Sequence, residues 1–226
     1  NLRGKGTQRT WVYGAPVCEW RLLMIQLYNI DCMEFMADKP DKFYDLAIVD
    51  PPYRNQNENQ PTKDMRNNGK ISCFGDKPDQ RFFNELFRVS KNQIIWGANN
   101  FAMPYKGFIV WRKITISENF SMSMCEIASI SEGLGTTSKY FEMQPQDKDR
   151  IHPTQKPVAL YEWLLDRYAK KGDKILDTHG GSMSSAIACY NLGFDLDICE
   201  LDKDYFEQAK KRFENHCKQV RLTDLI

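Results

Sequence analysis

Asp45-Leu46-Ala47-Ile48-Val49-Asp50-Pro51-Pro52-Tyr53 is the stretch that decides the fold. Residues 45–49 read as a buried parallel strand, because a short apolar run closed by a chain breaker is the pattern of a strand covered on both faces. Two prolines cannot continue it. Each fixes φ and lacks an N–H, and each pushes the residue before it toward extended geometry, so the chain leaves the sheet in one rigid conformation. The carboxyl edge of an open α/β sheet is where ligands bind. Asp50, Pro51, Pro52 and Tyr53 therefore present a carboxylate, backbone carbonyls and an aromatic face at a cleft. Such a set suits a planar base with an exocyclic amine: the carboxylate and a carbonyl accept the two amine hydrogens while the ring stacks on tyrosine. On the tetrapeptide alone, an ordinary proline-terminated turn is the competing reading.

Working outward, Ile25 to Tyr28 reads as a strand, Cys32 to Met36 as a helix, and the strand at 45–49 completes a strand, helix, strand unit. Arg81 to Val89 is helical, and Gln93 to Trp96 and Gly107 to Trp111 are strands, with Cys125 to Ile130 pairing nearby as a hairpin region. An amphipathic helix over 158–169 opens at Pro157. The chain ends on strand 174–177, helix 182–192, strand 194–200 and helix 202–217. Residues 1–16 are polar and glycine-rich and read as a flexible arm. The stretches 54–80 and 131–151 are polar, and loops of that length are uncommon unless they are functional or disordered.

At 226 residues and 42% hydrophobic, the chain can bury roughly 70–75% of its unfolded surface, enough for one core and one domain over 1–226. A net charge of only +1 gives no overall polycationic signal, so any nucleic-acid surface is local. The seven cysteines show no C-x-x-C spacing. They read as free thiols in a reducing compartment, without a disulfide frame or a metal site. No run of 18 apolar residues is present, which points to a cytoplasmic chain, and a start at Asn1 in place of Met fits removal of an upstream piece.

A second constellation, Ile175-Leu176-Asp177-Thr178-His179-Gly180-Gly181-Ser182, lies where a strand turns into a helix. Paired glycines there either let the backbone approach a ligand or simply pack the helix on the sheet. G-x-G-x-x-G is absent, which disfavours a pyrophosphate cofactor. Glu200 follows Asp177 by 23 residues at the end of the next strand, a usual place for a carboxylate that grips ribose hydroxyls. A nucleoside without a pyrophosphate fits, and S-adenosylmethionine is one.

With His152-Pro153-Thr154-Gln155-Lys156-Pro157 between them, the two constellations occur in one order. That order resembles the permuted β-class of S-adenosylmethionine-dependent DNA amino-methyltransferases, whose signature is D-P-P-Y. The similarity spans residues 25–213 and includes Ile94 to Phe101 and Val110-Trp111-Arg112-Lys113 followed by Glu126. The resemblance implies a Rossmann-like α/β methyltransferase fold, its mostly parallel sheet covered by helices on both faces. It also implies transfer of a methyl group to the N6 amine of a flipped-out adenine in DNA. Asp50, Pro51, Pro52 and Tyr53 would be catalytic. Asp177 and Gly180 would line the methionine side of the cofactor, Glu200 would hold its ribose, Asp31 would face its adenine and Lys156 would lie near its carboxylate. Asp50, Gly181, Ser182 and Leu201 would border the same site. His179 replaces an aromatic of many relatives and is expected to make a ring contact, with no proton chemistry. Met183-Ser184-Ser185 stands where those relatives have Gly-Thr-Thr, so one glycine of the turn is lost.

Rival readings are an RNA adenine methyltransferase, a DNA cytosine-N4 enzyme, for which relatives more often carry Ser before Pro-Pro, and a non-catalytic partner subunit of the same fold. A nicotinamide dehydrogenase is weakened by the missing fingerprint. Only 54–80 and 131–151 are free to contact DNA. A specific interface buries at least about 600–1,000 Å², so a short or relaxed target is expected, or a homodimer whose second copy adds contacts.

Overall fold

A computed structural model describes residues 11–13, 16–17, 21–53, 76–103, 105–120, 123–145, 150–152 and 154–219. Its frame is a nine-stranded sheet in the order β1-β4-β11-β10-β5-β6-β8-β7-β9. At its centre β5 (Tyr44–Val49) pairs in parallel with β10 (Lys174–Asp177) on one side and β6 (Ser90–Trp96) on the other. Beyond β10 lie β11 (Asp195–Cys199) and β4 (Ile25–Tyr28), both parallel to it. Beyond β6 the sheet turns antiparallel through β8 (Cys125–Ile130) and β7 (Gly107–Lys113), the expected hairpin region.

Side chains alternate across this sheet, and the helices divide accordingly. Leu46, Ile48, Ile94, Ile175 and Ile198 face one core with α3 (Val158–Tyr168), α4 (Ser184–Leu192) and α5 (Lys203–Cys217). Their neighbours Ala47, Val49, Ile95, Leu176 and Cys199 face a second core under α1 (Cys32–Ala37) and α2 (Gln80–Val89). This is the Rossmann-like α/β architecture, helices on both faces. Asp31 caps α1 by accepting from the Met33 N–H at 2.7 Å, and Asp79 caps α2 through the Arg81 N–H at 2.9 Å.

Two expectations need correction. Part of the supposed arm is strand: β1 (Trp11–Tyr13) runs antiparallel to β4, with Trp11 opposite Leu27. Trp-Val-Tyr has high strand propensity, and the edge of β4 offers unpaired backbone. A two-residue strand β2 (Pro16–Val17) also pairs with β3 (Arg21–Leu22), while 1–10 and 14–15 lie outside the described residues. The polar stretch 131–151 likewise holds a 3-10 turn (Glu132–Leu134) and an edge strand, β9 (Lys139–Met143), parallel to β7. Its pattern is exposed on both faces except at Phe141 and Met143, so the sequence carried no burial signal. Residues 54–75 and 146–149, most of one candidate DNA-contacting loop and part of the other, lie outside the described residues.

From β5 the chain proceeds to β6, and from β10 it proceeds to β11 on the opposite side. Neighbouring strands that send the chain in opposite directions leave a crevice at their carboxyl ends.

Candidate active site

That crevice is a cleft of about 330 Å³. Asp50 to Tyr53 leave β5 on one wall, and His179 to Ser182 leave β10 on another. Glu200 follows β11, and Glu126 reaches in from β8. Both constellations read from the sequence thus meet at one opening, with the His152 to Lys156 segment closing it.

Asp50 is held at both oxygens. Oδ1 accepts from the Tyr53 hydroxyl, and Oδ2 accepts from the Lys156 ammonium, 106 residues away in the chain. Each oxygen keeps a lone pair for a further donor. Lys156 Nζ also lies 3.0 Å from Glu126 Oε2, an ion contact whose angles fall outside hydrogen-bond geometry, and Glu126 Oε1 is 2.6 Å from Lys113 Nζ. Burial pushes the Asp50 carboxyl up, while Lys156 draws it back. Burial opposes a charge on Lys156, yet Asp50 and Glu126 outweigh it and raise its pKa. Glu126 is opposed by burial too, but Lys156 and Lys113 bring it down to about 2. Ion contacts thus run without a break from Lys113 through Glu126 and Lys156 to Asp50.

The Tyr53 ring rests on Gly97, whose φ of +74° lies in the left-handed region. A Cβ there would sit 2.2 Å from Tyr53 Cε1, so glycine serves both the backbone and the close approach. The sequence singled out the segment around Gly97 without finding this purpose.

In the glycine turn, Gly181 N–H donates to Glu200 Oε2 at 2.7 Å and Asp202 N–H donates to Glu200 Oε1 at 2.9 Å. Glu200 therefore braces the turn besides facing the cleft, and burial raises its pKa. Gly180 owes its small size to the sheet: a Cβ would lie 3.0 Å from Ile198 Cγ1 and 3.2 Å from the Cys199 carbonyl. Packing on the sheet by itself demands a glycine here, and the same residue lines the cleft. Arg212 of α5 ties the turn down by donating to the Ser182 carbonyl at 2.7 Å.

Not every residue singled out lines the cleft. Asp177 is buried behind it, accepting from the Ser185 hydroxyl at 2.6 Å and the His179 N–H at 3.0 Å, and burial pushes its carboxyl up to about 7. Asp31 is the helix cap, and Leu201 is exposed to solvent; neither borders the cleft. His179 does line it, with its ring edge on Phe82 at 5.4 Å, and burial lowers its pKa to about 4, so it is neutral. His152 is similar, lowered to about 4 by burial and packed on Tyr205 at 4.4 Å. Glu126, Tyr161 and Tyr205 line the cleft without having been assigned a role. Each sits inside an ordinary strand or helix pattern that explains it as packing.

A carboxylate with free lone pairs, a proline-fixed carbonyl edge and an aromatic ring thus meet in one cleft at a sheet switch point, a set of groups suited to a planar nitrogenous ligand. Residues 110–211 match the family of N6/N4 methyltransferases, described as DNA methylase. Type II methyltransferase M2.DpnII of Streptococcus pneumoniae is 24% identical over 240 residues, covering 83% of this chain and 89% of that protein. Type II methyltransferase M.HpaI of Haemophilus parainfluenzae is 40% identical over 67 residues, which is 28% of this chain and 20% of that one. The crystal structure of the M1.HpyAVI-SAM complex superposes with a TM-score of 0.57 at 22% identity, covering 84% of this chain and all of that one. Residues 110–211 thus carry the pattern of the N6/N4 DNA methylases, and the fold of the chain is that of the solved methyltransferase it superposes on.

Proposed function

We propose that the chain is a DNA methylase and acts on the N6 amine of adenine, with Asp50 and the Pro51 carbonyl as the acceptors that hold the amine and Tyr53 as the ring that stacks on the base. The observation that carries this reading is the Asp50 carboxyl lining the cleft, paired with Lys156 and with lone pairs left to accept. The adenine amine is a poor nucleophile because its lone pair is delocalised into the ring. Accepting both hydrogens turns that lone pair out of conjugation. Aspartate at the first position favours adenine over cytosine N4, the other amine the family name covers.

S-Adenosylmethionine fits this chain's residues as methyl donor: the cleft is lined by Asp50, Glu200 and Asp202 with Tyr161 and Tyr205, and carboxylates beside aromatic rings suit a sulfonium and a ribose. When bound, it supplies an electrophilic methyl group. Glu200 accepts from the ribose hydroxyls through the lone pairs left by its two backbone bonds. Gly180, Gly181 and Ser182 form the floor against the methionine portion, with Asp177 supporting that floor from behind and Lys156 bounding it on the Asp50 side. His179 provides a neutral ring contact. DNA is the substrate, with the base extruded into the cleft, and residues 54–80 and 131–151 supply contacts for a short target, or a second copy of the chain adds to them.

Quantifying N6-methyladenine and N4-methylcytosine by mass spectrometry, in DNA from cells expressing the chain, tests the assignment. N6-methyladenine is the expected product. N4-methylcytosine alone would overturn the choice of amine, and methylated RNA with unmodified DNA would overturn the substrate.

A further inference from the structure

Glu126 has no part in the reaction as described, yet it stands one ammonium away from Asp50. The two carboxylates and two ammoniums form one line of alternating charge, Lys113, Glu126, Lys156, Asp50. Its members come from β7, from β8, from the segment before α3 and from the end of β5. Strand register sets the outer half: Glu126 lies opposite Trp111, so Lys113, two residues on, is its diagonal neighbour on the same face. Beneath the line are indole rings. Lys156 Nζ is 5.2 Å from the Trp96 centroid and Lys113 Nζ is 5.4 Å from that of Trp111, and both indoles are almost fully buried. An aromatic floor keeps water away and lets charges act on one another strongly.

We infer that Glu126 is a positioning residue for the methyl transfer: by taking a share of the Lys156 ammonium, it keeps Asp50 a strong enough acceptor to hold the substrate amine. The inference rests on the reading of Asp50 as the amine acceptor. An ammonium spent wholly on Asp50 would neutralise the carboxylate as an acceptor, and no ammonium at all would leave it buried, unpaired and prone to protonation. Two carboxylates on one ammonium strike the balance. Lys113 holds Glu126 by its other oxygen, and Oε2 lies 3.0 Å from the Lys156 ammonium. The remaining groups facing Asp50 are the Tyr53 hydroxyl on its own segment, Tyr161 of α3 and Asp177 at the end of β10. Neither tyrosine carries charge at neutral pH, and Asp177 is held by Ser185 and the turn. Glu126 and Lys156 are the groups that ion contacts link to Asp50, while Asp177 acts on it through space, its titration being the same in the parent and in Glu126→Gln.

The test follows the Asp50 carboxyl itself in the full chain labelled with 13C at its aspartate carboxyls, the Asp50 signal being assigned by its loss in Asp50→Asn. Glu126→Gln gives Lys156 wholly to Asp50, so the Asp50 midpoint falls. Lys156→Met removes the cation, so the midpoint rises. Lys156→Arg keeps the charge and leaves it near the parent's. Single-turnover methylation is then measured over the same pH range, beside cofactor affinity by calorimetry. Glu126→Gln should lose about tenfold in rate, less than the about 10²–10³ lost when an acceptor is removed outright, with cofactor affinity unchanged. A midpoint that does not move in Glu126→Gln, or moves upward as in Lys156→Met, overturns the inference. So does a lowered midpoint accompanied by the parent's rate. If the parent methylates no nucleic acid, the reading of Asp50 fails on that count, whereas the carboxyl titration still decides whether Glu126 shares the charge.

Discussion

Glu200 performs two tasks that one substitution pair separates. Its oxygens accept from the Gly181 and Asp202 N–H groups at 2.7 and 2.9 Å, both charge-assisted. Bonds of that kind contribute about 1.5–3 kcal/mol each. Because Glu200 lies at the rim of the cleft, the lower bound of about 3 kcal/mol for the pair is the appropriate figure. In a chain of this size that corresponds to a melting temperature lower by about 6–12 °C for Glu200→Ala. Glu200→Gln keeps one acceptor but turns an NH₂ group toward a backbone N–H, so it recovers less than half of the loss. Cofactor binding adds a separate signal. If the carboxylate also accepts from ribose hydroxyls, the loss of even one such bond weakens affinity about tenfold or more in either variant. Melting without ligand and calorimetric titration with S-adenosylmethionine are measured on the same preparations. Affinity within about threefold of the parent, beside a lowered melting temperature, would make Glu200 a brace for the turn and nothing more. An unchanged melting temperature would refute the energetic argument from the two backbone bonds.

Asp50→Asn is expected to lower single-turnover methylation by at least about 10²–10³ with S-adenosylmethionine affinity nearly unchanged; retention of turnover within about tenfold would remove Asp50 from catalysis. Gly97→Ala should cost more than about 1 kcal/mol by urea unfolding, from the left-handed backbone alone, and should slow methylation by pushing the Tyr53 ring off its seat. A variant as stable and as active as the parent would show that the ring has room to spare. Asp177 gives a pH dependence: its folded pKa, about 7, lies above the unfolded value of about 3.9, so the stabilisation is complete below about pH 4 and is lost as pH rises to about 7. Between about pH 5.5 and pH 7 the parent should lose about 2 kcal/mol relative to Asp177→Asn, and parallel curves for the two proteins would exclude Asp177 as the titrating group.

Much of the sheet was legible because its central strands are apolar runs ended by breakers. Pro51-Pro52 closes β5, Gly180-Gly181 follows β10 after two residues, and Pro157 starts α3. Edge strands were not legible. β9 is mostly exposed, and β1 is a three-residue strand whose pairing depends on an edge 12 to 16 residues further along. In the site, the groups that follow strand ends could be read, whereas what joins them could not. The bond from Lys156 to Asp50 spans 106 residues, and Glu126 is the second residue of β8, on the half of the strand that is not buried. His152-Pro153-Thr154-Gln155-Lys156-Pro157 signalled a site by resemblance, but its ion pairs are a property of the folded chain alone.

Met183, directly before α4, is the one residue of the cofactor turn that breaks a local rule. It holds a φ of +56°, and its side chain is completely buried in the core with α3 and α4. A left-handed conformation costs an ordinary residue about 1–2 kcal/mol, and burying a methionine side chain returns about 1.5–3 kcal/mol. A glycine there would adopt the same angle freely, but it would also sample many others when the cleft is empty. Anchoring the turn to the hydrophobic core restricts it before any ligand arrives. If the turn holds the methyl donor as proposed, the ordering entropy that a looser turn would surrender on binding has already been spent in folding, and affinity is then coupled to the stability of the core beneath it.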